Sequence, residues 1–148
     1  MLLDSTIESW FAEDVGHHDV TNDVPGTAAG RLVATEAGTI AGLTAGQAVF
    51  EYVDVDPDLL LADGDSVEPG DAVLRVEGSA RDVLRAERVA VNVVGHASGV
   101  ATKTAAAVEK ARAVDEEVTI ACTRKTTPGL RGVEKRAVAA AGGDTHRL

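Results

Sequence analysis

VTIACTRKTTPGLRGVEKRAV, residues 118–138, contains in order a short apolar run, a basic loop and an amphipathic stretch. The run VTIAC is typical of a fully buried strand, whose residues need not alternate between apolar and polar. The stretch GVEKRAVAAA predicts a helix that ends at Gly142–Gly143. A strand, loop and helix in this order predict the first βα unit of a parallel α/β barrel. A single parallel strand needs neighbours on both sides, so we expect the barrel to be incomplete in this chain.

The residues before this unit predict a separate α+β domain. Ile7, Trp10 and Phe11 recur at helical spacing, and GRLVATE and GTIAGL alternate well enough to form a pair of strands. Residues 58–78 resemble the hammerhead of biotinyl and lipoyl carrier domains, but a carrier needs an exposed lysine and none precedes Lys103. We therefore expect an α+β, sandwich-like and hammerhead-like domain over residues 1–103, followed by a truncated barrel domain over residues 104–148.

Two helices are predicted where these domains meet. Ser79 and Asp82 resemble a capping box that opens the first helix, ARDVLRAERVAVNVVGHA. A second helix, VATKTAAAVEKARAV, is predicted to follow Gly99.

Composition limits the class of protein. The chain has 148 residues, of which 45% are hydrophobic and 26% charged, as in globular proteins. No apolar run approaches the roughly 18 residues of a membrane helix, and no secretory leader is recognisable, so we expect no membrane partner. The single cysteine fits a reducing cytoplasm. A net charge of −10 and an aromatic content of 3% argue against nucleic acid as a partner.

Positive charge is concentrated near the end of this acidic chain. The whole chain carries 14 Lys and Arg against 24 Asp and Glu, whereas residues 123–148 carry six against two. Arg124 and Lys125 would lie at the carboxyl end of a barrel strand, where the active sites of such barrels are found. Arginine presents a planar fork that matches a carboxylate, and lysine is a compact charge suited to phosphate. With His146 and Arg147 after the next helix, these residues predict a pocket for a polyanion.

The motifs TRKTTPGLR, EKRAV and GGDTHR resemble those of quinolinate phosphoribosyltransferases, also called carboxylating nicotinate-nucleotide pyrophosphorylases. Upstream, EDVGHHDVT, DGDSVEPGDAVLRVEG and AERVAVNVVGHASGVAT agree with the same family in the same order. The resemblance covers nearly the whole chain. It implies a transferase of NAD biosynthesis that joins quinolinate to phosphoribosyl pyrophosphate, with Mg²⁺, to give nicotinate mononucleotide, pyrophosphate and CO₂.

The resemblance also implies roles for individual residues. Arg124, His146 and Arg147 would bind quinolinate, and Lys125 would act as the catalytic lysine near the phosphoribosyl donor. Arg88 would reach into the site of a neighbouring subunit, so the resemblance implies a homodimer with shared active sites. Lys135 and Arg136 are interpreted as solvated helix residues, although Lys135 follows the family pattern.

The chain also departs from the family pattern. Cys122 stands where the family commonly has Asp, and we interpret it as a small apolar filler at the end of the strand. Thr145 replaces Asn before the His-Arg pair, and Ala141 replaces a glycine. The further strands that carry another substrate lysine and the acidic Mg²⁺ ligands of the family are missing, so we assign no metal ligand here and expect the fragment alone to be inactive.

Two alternatives stay open. One is a related phosphoribosyltransferase-like protein, associated with molybdenum transport or using nicotinate. The other is a noncatalytic binding module.

Overall fold

The computed structural model describes residues 4–15 and 24–145. Within these ranges the chain forms four helices and five strands, which follow one another as α1 Asp4–Val15, β1 Thr27–Val33, β2 Gly38–Thr39, α2 Leu43–Glu51, β3 Asp56–Leu59, β4 Ser66–Val67, β5 Ala72–Ser79, α3 Ala80–Arg112 and α4 Arg131–Ala140. The predicted first helix is confirmed, with Ile7, Trp10 and Phe11 buried.

The strands form two small antiparallel sheets. One sheet has the order β1-β5-β3, and the other pairs β2 with β4. The predicted pairing between the segments GRLVATE and GTIAGL is therefore wrong: the first contributes to β1 and the second contains β2, and each pairs with a different strand of the hammerhead-like region. Pairing with β5 gives β1 a partner along its whole length, from Thr27 opposite Ser79 to Val33 opposite Ala72.

Helix α3 is continuous through 33 residues, where two helices were predicted. At about 1.5 Å per residue it is roughly 50 Å long. Gly95 and Gly99 lie within it, and a Cβ at either position would meet nothing within 4 Å. Each glycine costs about 1 kcal/mol of helix propensity, but Val93, Val94 and Ala97 beside them are buried. Burial of that face outweighs the local preference.

Ser79 is the N-cap residue of α3, as predicted, but its side chain makes no capping hydrogen bond. The backbone N–H of Ala80 instead donates to the Gly26 carbonyl at 2.9 Å. The first turn of α3 is thus attached to the chain that leads into β1. The domain boundary predicted after residue 103 falls inside α3 and stays a prediction.

The core of the described residues is built on one face of α3. This face carries small and β-branched side chains, which let α2, α4, β1 and β5 pack closely against it. Its buried members are Ala80, Val83, Ala86, Val89, Ala90, Val93, Val94, Ala97, Ala101 and Val108. The largest fully buried side chains that meet this region come from other elements, namely Leu43, Leu74, Val49 and Val73.

Ser98 and Thr102 lie one turn apart on α3 and bind the backbone that links β2 to α2. Ser98 Oγ accepts from the Ala41 N–H at 3.1 Å, and Thr102 Oγ1 accepts from the Thr39 N–H at 2.9 Å. The Ser98 hydroxyl also contacts the Ala41 carbonyl at 3.2 Å. These hydroxyls supply hydrogen bonds that a neighbouring strand would otherwise make with the backbone at and after the two-residue β2. They attach this part of the chain to α3.

The predicted buried strand VTIAC is not formed. Ala121 makes a single parallel bridge with Asp144, while Val118, Thr119 and Ala121 are exposed and Ile120 is half-buried. The bridge consists of the Cys122 N–H donating to the Asp144 carbonyl at 2.9 Å and the Asp144 N–H donating to the Ile120 carbonyl at 2.8 Å. A barrel strand needs hydrogen-bonding neighbours along its length, and the described residues supply only this one contact.

Within residues 4–15 and 24–145, no helix combines the length and the apolar character required to cross a membrane.

Substitution of Gly42 tests the packing of α2 on α3. Gly42 precedes α2 at φ +82°, and a Cβ there would lie 2.7 Å from the Ala97 Cβ. We expect Gly42→Ala to lower the free energy of unfolding by about 2–4 kcal/mol, through left-handed strain and overpacking together. Gly70→Ala is the matched control, since Gly70 has φ +99° but no atom within 4 Å of the position that its methyl group would occupy. Urea unfolding should show a clearly smaller loss for Gly70→Ala, and equal losses would contradict the close approach.

Candidate functional site

The basic loop lies between the Ala121 bridge and α4, and hydrogen bonds fix its first part. The Lys125 N–H donates to Thr123 Oγ1 at 3.1 Å, and the Thr123 hydroxyl donates to the Lys125 carbonyl at 3.3 Å. One threonine side chain therefore closes the backbone around Arg124. Local hydrogen bonds of this kind are typical of Ser and Thr in turns.

The second part of the loop is the predicted Pro-Gly turn. The Leu130 N–H donates to the Thr127 carbonyl at 3.0 Å, and Gly129 has φ +81°. Proline followed by a residue with positive φ is typical of a type II turn, in which glycine avoids the strain of a side chain. The turn leads directly into α4.

Glu134, in the first turn of α4, binds both the loop and α3. Its two carboxylate oxygens each accept from the Thr127 N–H at 3.2 Å, and its Oε1 lies 3.0 Å from His96 Nε2. The Glu134 side chain is 14% exposed, whereas that of His96 is 36% exposed. An ionised carboxylate only accepts hydrogen bonds, so the His96 ring must carry a proton on Nε2.

Burial alone would raise the pKa of the Glu134 carboxyl, but hydrogen bonds from Thr127 and His96 outweigh it. The net effect is a pKa below the ordinary value for glutamate. Glu134 is therefore ionised at neutral pH. Negative charge in the first turn of a helix is also favoured by the helix dipole.

Lys135 is buried, and its interpretation as a solvated helix residue is wrong. It is 4% exposed, and its ammonium donates to Cys122 Sγ at 2.8 Å. The sequence pattern did not reveal this burial, because a lysine is expected on the solvent-facing side of a helix. In the structure the buried face of α4 includes Lys135 together with Val133, Ala137 and Val138. Arg136 is exposed, as predicted. Cys122 is half-buried and polar in its contact, so it is more than an apolar filler.

A cleft of about 330 Å³ lies beside the loop. Lys125 lines it together with Cys122, Thr126, Glu134 and Lys135. Larger clefts of about 510 and 550 Å³ lie on the sheet and between β2 and α3, but none of the predicted site residues lines them. The smaller cleft is the better candidate because Lys125, a predicted site residue, lines it, beside three threonines and the hydrogen-bonded side chains of Glu134 and Lys135.

The predicted site residues are only partly brought together. Arg124, Lys125 and Arg88 are all exposed, and of these three only Lys125 lines the 330 Å³ cleft. Arg88 is on α3, a little over two turns before His96. His146 and Arg147 lie outside the described residues. The described part of the chain does not enclose these cations in one cavity.

His96 and Glu134 were not predicted as site residues. A glutamate in the first turn of a predicted helix was a signal for Glu134, because this position favours negative charge and reaches the preceding loop. No comparable signal exists for His96, since its contact with Glu134 joins residues 38 positions apart.

Comparison with known proteins agrees with this arrangement of an α+β domain followed by a basic loop. Residues 18–98 match the family described as quinolinate phosphoribosyl transferase, N-terminal domain. Residues 100–148 match quinolinate phosphoribosyl transferase, C-terminal domain. The chain belongs to the quinolinate phosphoribosyl transferase family. The resemblance inferred from TRKTTPGLR and its companion motifs is thereby confirmed.

Individual relatives of this family cover the chain almost completely. A probable carboxylating nicotinate-nucleotide pyrophosphorylase of Methanothermobacter thermautotrophicus is 39% identical over 96% of this chain and 52% of its own length. The putative pyrophosphorylase ModD of Pasteurella multocida is 31% identical over 97% of this chain and 52% of its own length. The chain thus spans about half the length of the curated relatives it matches.

A solved structure confirms the predicted fold class. NadC from Streptococcus pyogenes is 40% identical and superimposes with a TM-score of 0.86, covering 98% of this chain and 54% of that protein. An α+β domain followed by the beginning of a barrel domain is therefore the fold of this chain.

The residues described do not supply a metal site. Within residues 4–15 and 24–145, no group of three or more His, Cys, Asp and Glu side chains is placed to hold a metal ion. We therefore derive no chemical step through Mg²⁺ from these residues.

The lowered pKa of Glu134 predicts a pH-dependent contribution to stability. A carboxyl whose pKa is lower in the folded than in the unfolded state stabilises the fold above its unfolded pKa, and this contribution is lost as the pH falls through the folded pKa. We expect Glu134→Gln to lower the free energy of unfolding by about 1–3 kcal/mol at neutral pH. This difference from the unsubstituted chain should shrink in acid.

Urea unfolding at neutral and acidic pH measures this difference. Glu109→Gln is the matched control, because Glu109 is an exposed glutamate of α3 and should have little effect at either pH. A Glu134→Gln effect that stays constant from neutral pH into strong acid would contradict the assignment.

Proposed function

We propose that this chain forms the quinolinate-binding half of a carboxylating nicotinate-nucleotide pyrophosphorylase. The whole enzyme would transfer phosphoribosyl from phosphoribosyl pyrophosphate to quinolinate and release CO₂, giving nicotinate mononucleotide for NAD biosynthesis. The single observation that carries the proposal is the match of both family domains, in order, over residues 18–98 and 100–148.

The ordered basic loop supports this assignment. Thr123 and Glu134 accept hydrogen bonds from the backbone N–H groups of Lys125 and Thr127. The backbone that carries the side chains of Arg124 and Lys125 is therefore held in place. A planar guanidinium suits a carboxylate of quinolinate, and an ammonium suits a phosphate oxygen. We therefore assign quinolinate to Arg124, with His146 and Arg147, and the phosphoribosyl donor to Lys125 as the catalytic lysine.

The chemistry needs positioned positive charge more than a protein nucleophile. Pyrophosphate leaves the anomeric carbon of ribose, and the pyridine nitrogen of quinolinate attacks the oxocarbenium-like centre. The bond between the ring carbon and the adjacent carboxylate then breaks, CO₂ departs, and the electron pair stays on that carbon beside the pyridinium nitrogen until a proton from solvent is taken up there. Cations held in place before the reaction stabilise the departing pyrophosphate and orient both anionic substrates.

Partner and location are part of the proposal. Arg88 is exposed on α3 and does not line the cleft beside the basic loop, which supports its assignment to the site of a second copy in a homodimer. The ligands of Mg²⁺ would lie outside the described residues. A cytoplasmic location fits the single cysteine, and the acidic composition disfavours nucleic acid as a partner.

A related pyrophosphorylase with another substrate is the second candidate, favoured by the 31% identity with the putative pyrophosphorylase ModD. The two candidates differ in the pyridine or other base that they accept. The experiment uses a chimera in which residues 1–148 are joined to the remaining half of Streptococcus pyogenes NadC, a protein of matching fold. Formation of nicotinate mononucleotide and CO₂ from quinolinate would support the first candidate, and activity with nicotinate alone would refute it.

Arg124→Ala in the chimera should weaken quinolinate far more than phosphoribosyl pyrophosphate. Loss of a charge-assisted hydrogen bond of about 1.5–3 kcal/mol corresponds to about 10- to 150-fold in the dissociation constant. Titration calorimetry with each substrate measures the two affinities. Arg136→Ala is the matched control, since Arg136 is an exposed arginine of α4. Equal losses for both substrates would contradict the role given to Arg124.

Mixing two inactive variants tests the shared site. If Arg88 serves the neighbouring subunit, a mixed dimer of Arg88→Ala and Arg124→Ala chimeras contains one site with both arginines and one with neither. Random exchange should restore about a quarter of the unsubstituted activity, because half of the dimers are mixed and each has one intact site. No recovery after exchange has been verified by mass spectrometry would exclude the shared site.

A further inference from the structure

Glu134 and Lys135, which are neighbours in α4, contact the basic loop on opposite sides of Arg124 and Lys125. Lys135 donates to Cys122 Sγ at 2.8 Å, before these cations, and Glu134 accepts from the Thr127 N–H, after them. Arg124 and Lys125 lie between these two attachments. The backbone that carries both cations is therefore held from α4 as well as by the bridge between Cys122 and Asp144.

Of the two contacts, the one between Glu134 and Thr127 binds the loop backbone directly. Residue 128 is proline and has no N–H, so Thr127 offers the last backbone donor before the turn. Both oxygens of Glu134 lie 3.2 Å from that nitrogen. Thr127 is exposed, so water can replace the carboxylate as an acceptor if Glu134 is changed. Substitution of Glu134 therefore leaves the Thr127 N–H with a water partner, and its main effect is a change in the position of the loop.

His96 extends this contact to α3. Its Nε2 donates to the same carboxylate at 3.0 Å, so Glu134 joins the loop, α4 and the helix that carries Arg88. His96 and Arg88 are eight residues apart on α3, about 12 Å along the helix axis. A shift of the Glu134 carboxylate relative to α3 would therefore change the spacing between Arg88 and the loop cations.

We propose that Glu134 is a positioning residue, held by His96, that sets where Arg124 and Lys125 present their charges to substrate. It acts through the Thr127 N–H and needs no contact with substrate itself. The identity of the substrates that these cations bind, quinolinate and phosphoribosyl pyrophosphate, rests on the proposed function. The ionisable groups around Glu134 are His96 from α3, Lys125 from the loop and Lys135 from α4 itself.

A double-mutant cycle in the chimera separates positioning from general stability. We expect Glu134→Gln to weaken quinolinate binding, measured by titration calorimetry, by at least about tenfold, within the coupling range of contacting residues. In an Arg124→Ala background, whose quinolinate affinity is still measurable although the variant is inactive, the same substitution should cost less than about threefold, because the arginine it positions is already gone. Glu109→Gln, an exposed glutamate on α3, should change neither value. Equal losses in both backgrounds would overturn the proposal.

His96 is tested by a conservative substitution. Gln keeps an N–H donor that can reach a carboxylate, whereas Ala keeps none. We expect His96→Gln to retain several times more kcat/KM than His96→Ala, at similar melting temperatures. Identical losses in the two variants would remove His96 from the proposal.

A measurement that needs no activity distinguishes failure of this proposal from failure of the proposed function. In the 148-residue chain, Glu134→Ala, which removes the acceptor that glutamine would keep, should shift the amide resonances of residues 123–127 and speed exchange of the Thr127 N–H, while Glu109→Ala should not. If the unsubstituted chimera is inactive with quinolinate, the proposed function fails while these shifts still support the positioning of the loop by Glu134. Unchanged resonances throughout residues 123–127 would overturn the positioning role, whatever the chimera does.

Discussion

The buried face of helix α3 is the constraint on which the described structure depends. Alanine and valine line that face, and α2, α4 and the strands β1 and β5 all pack against it. Small side chains allow the close approach seen at Gly42 and Ala97, and a single added methyl group there would force the elements apart. Because every one of these contacts needs the same straight face, the helix runs unbroken through Gly95 and Gly99 in spite of their poor helix propensity.

Polar exceptions on α3 connect this core to the site. Ser98 and Thr102 bind the backbone before α2, and His96 binds Glu134, which in turn holds the basic loop. The same helix carries Arg88. One continuous helix thus contacts the α+β domain and, through Glu134, the loop, and it carries the arginine proposed to serve a neighbouring site. This is the central claim: through His96 and Glu134, α3 helps to set the positions of the cations, together with the short bridge at Ala121.

The sequence predicted those features that depend on local chemistry. The Pro128–Gly129 turn, the helix after it and the family motif were all correct, because each is encoded within a few residues. Strand pairing was wrong because β1 finds its partner in β5, between 39 residues away (Val33 with Ala72) and 52 residues away (Thr27 with Ser79). Lys135 was misjudged for a similar reason: its burial depends on what α4 packs against, which periodicity alone does not reveal. The His96–Glu134 contact likewise joins two elements and has no local signature. The roles of Arg88, Arg124, Lys125, His146 and Arg147 stay predictions.

Amide hydrogen exchange along α3 in the 148-residue chain tests the central claim most directly. A single rigid helix predicts that the amides of residues 94–101 exchange as slowly as those of residues 86–93, since both stretches belong to the same cooperative unit. Fast exchange confined to the region of Gly95 and Gly99, with slow exchange on either side, would mean two separately moving helices. In that case α3 could not fix the distance between Arg88 and the basic loop, and the account would be contradicted.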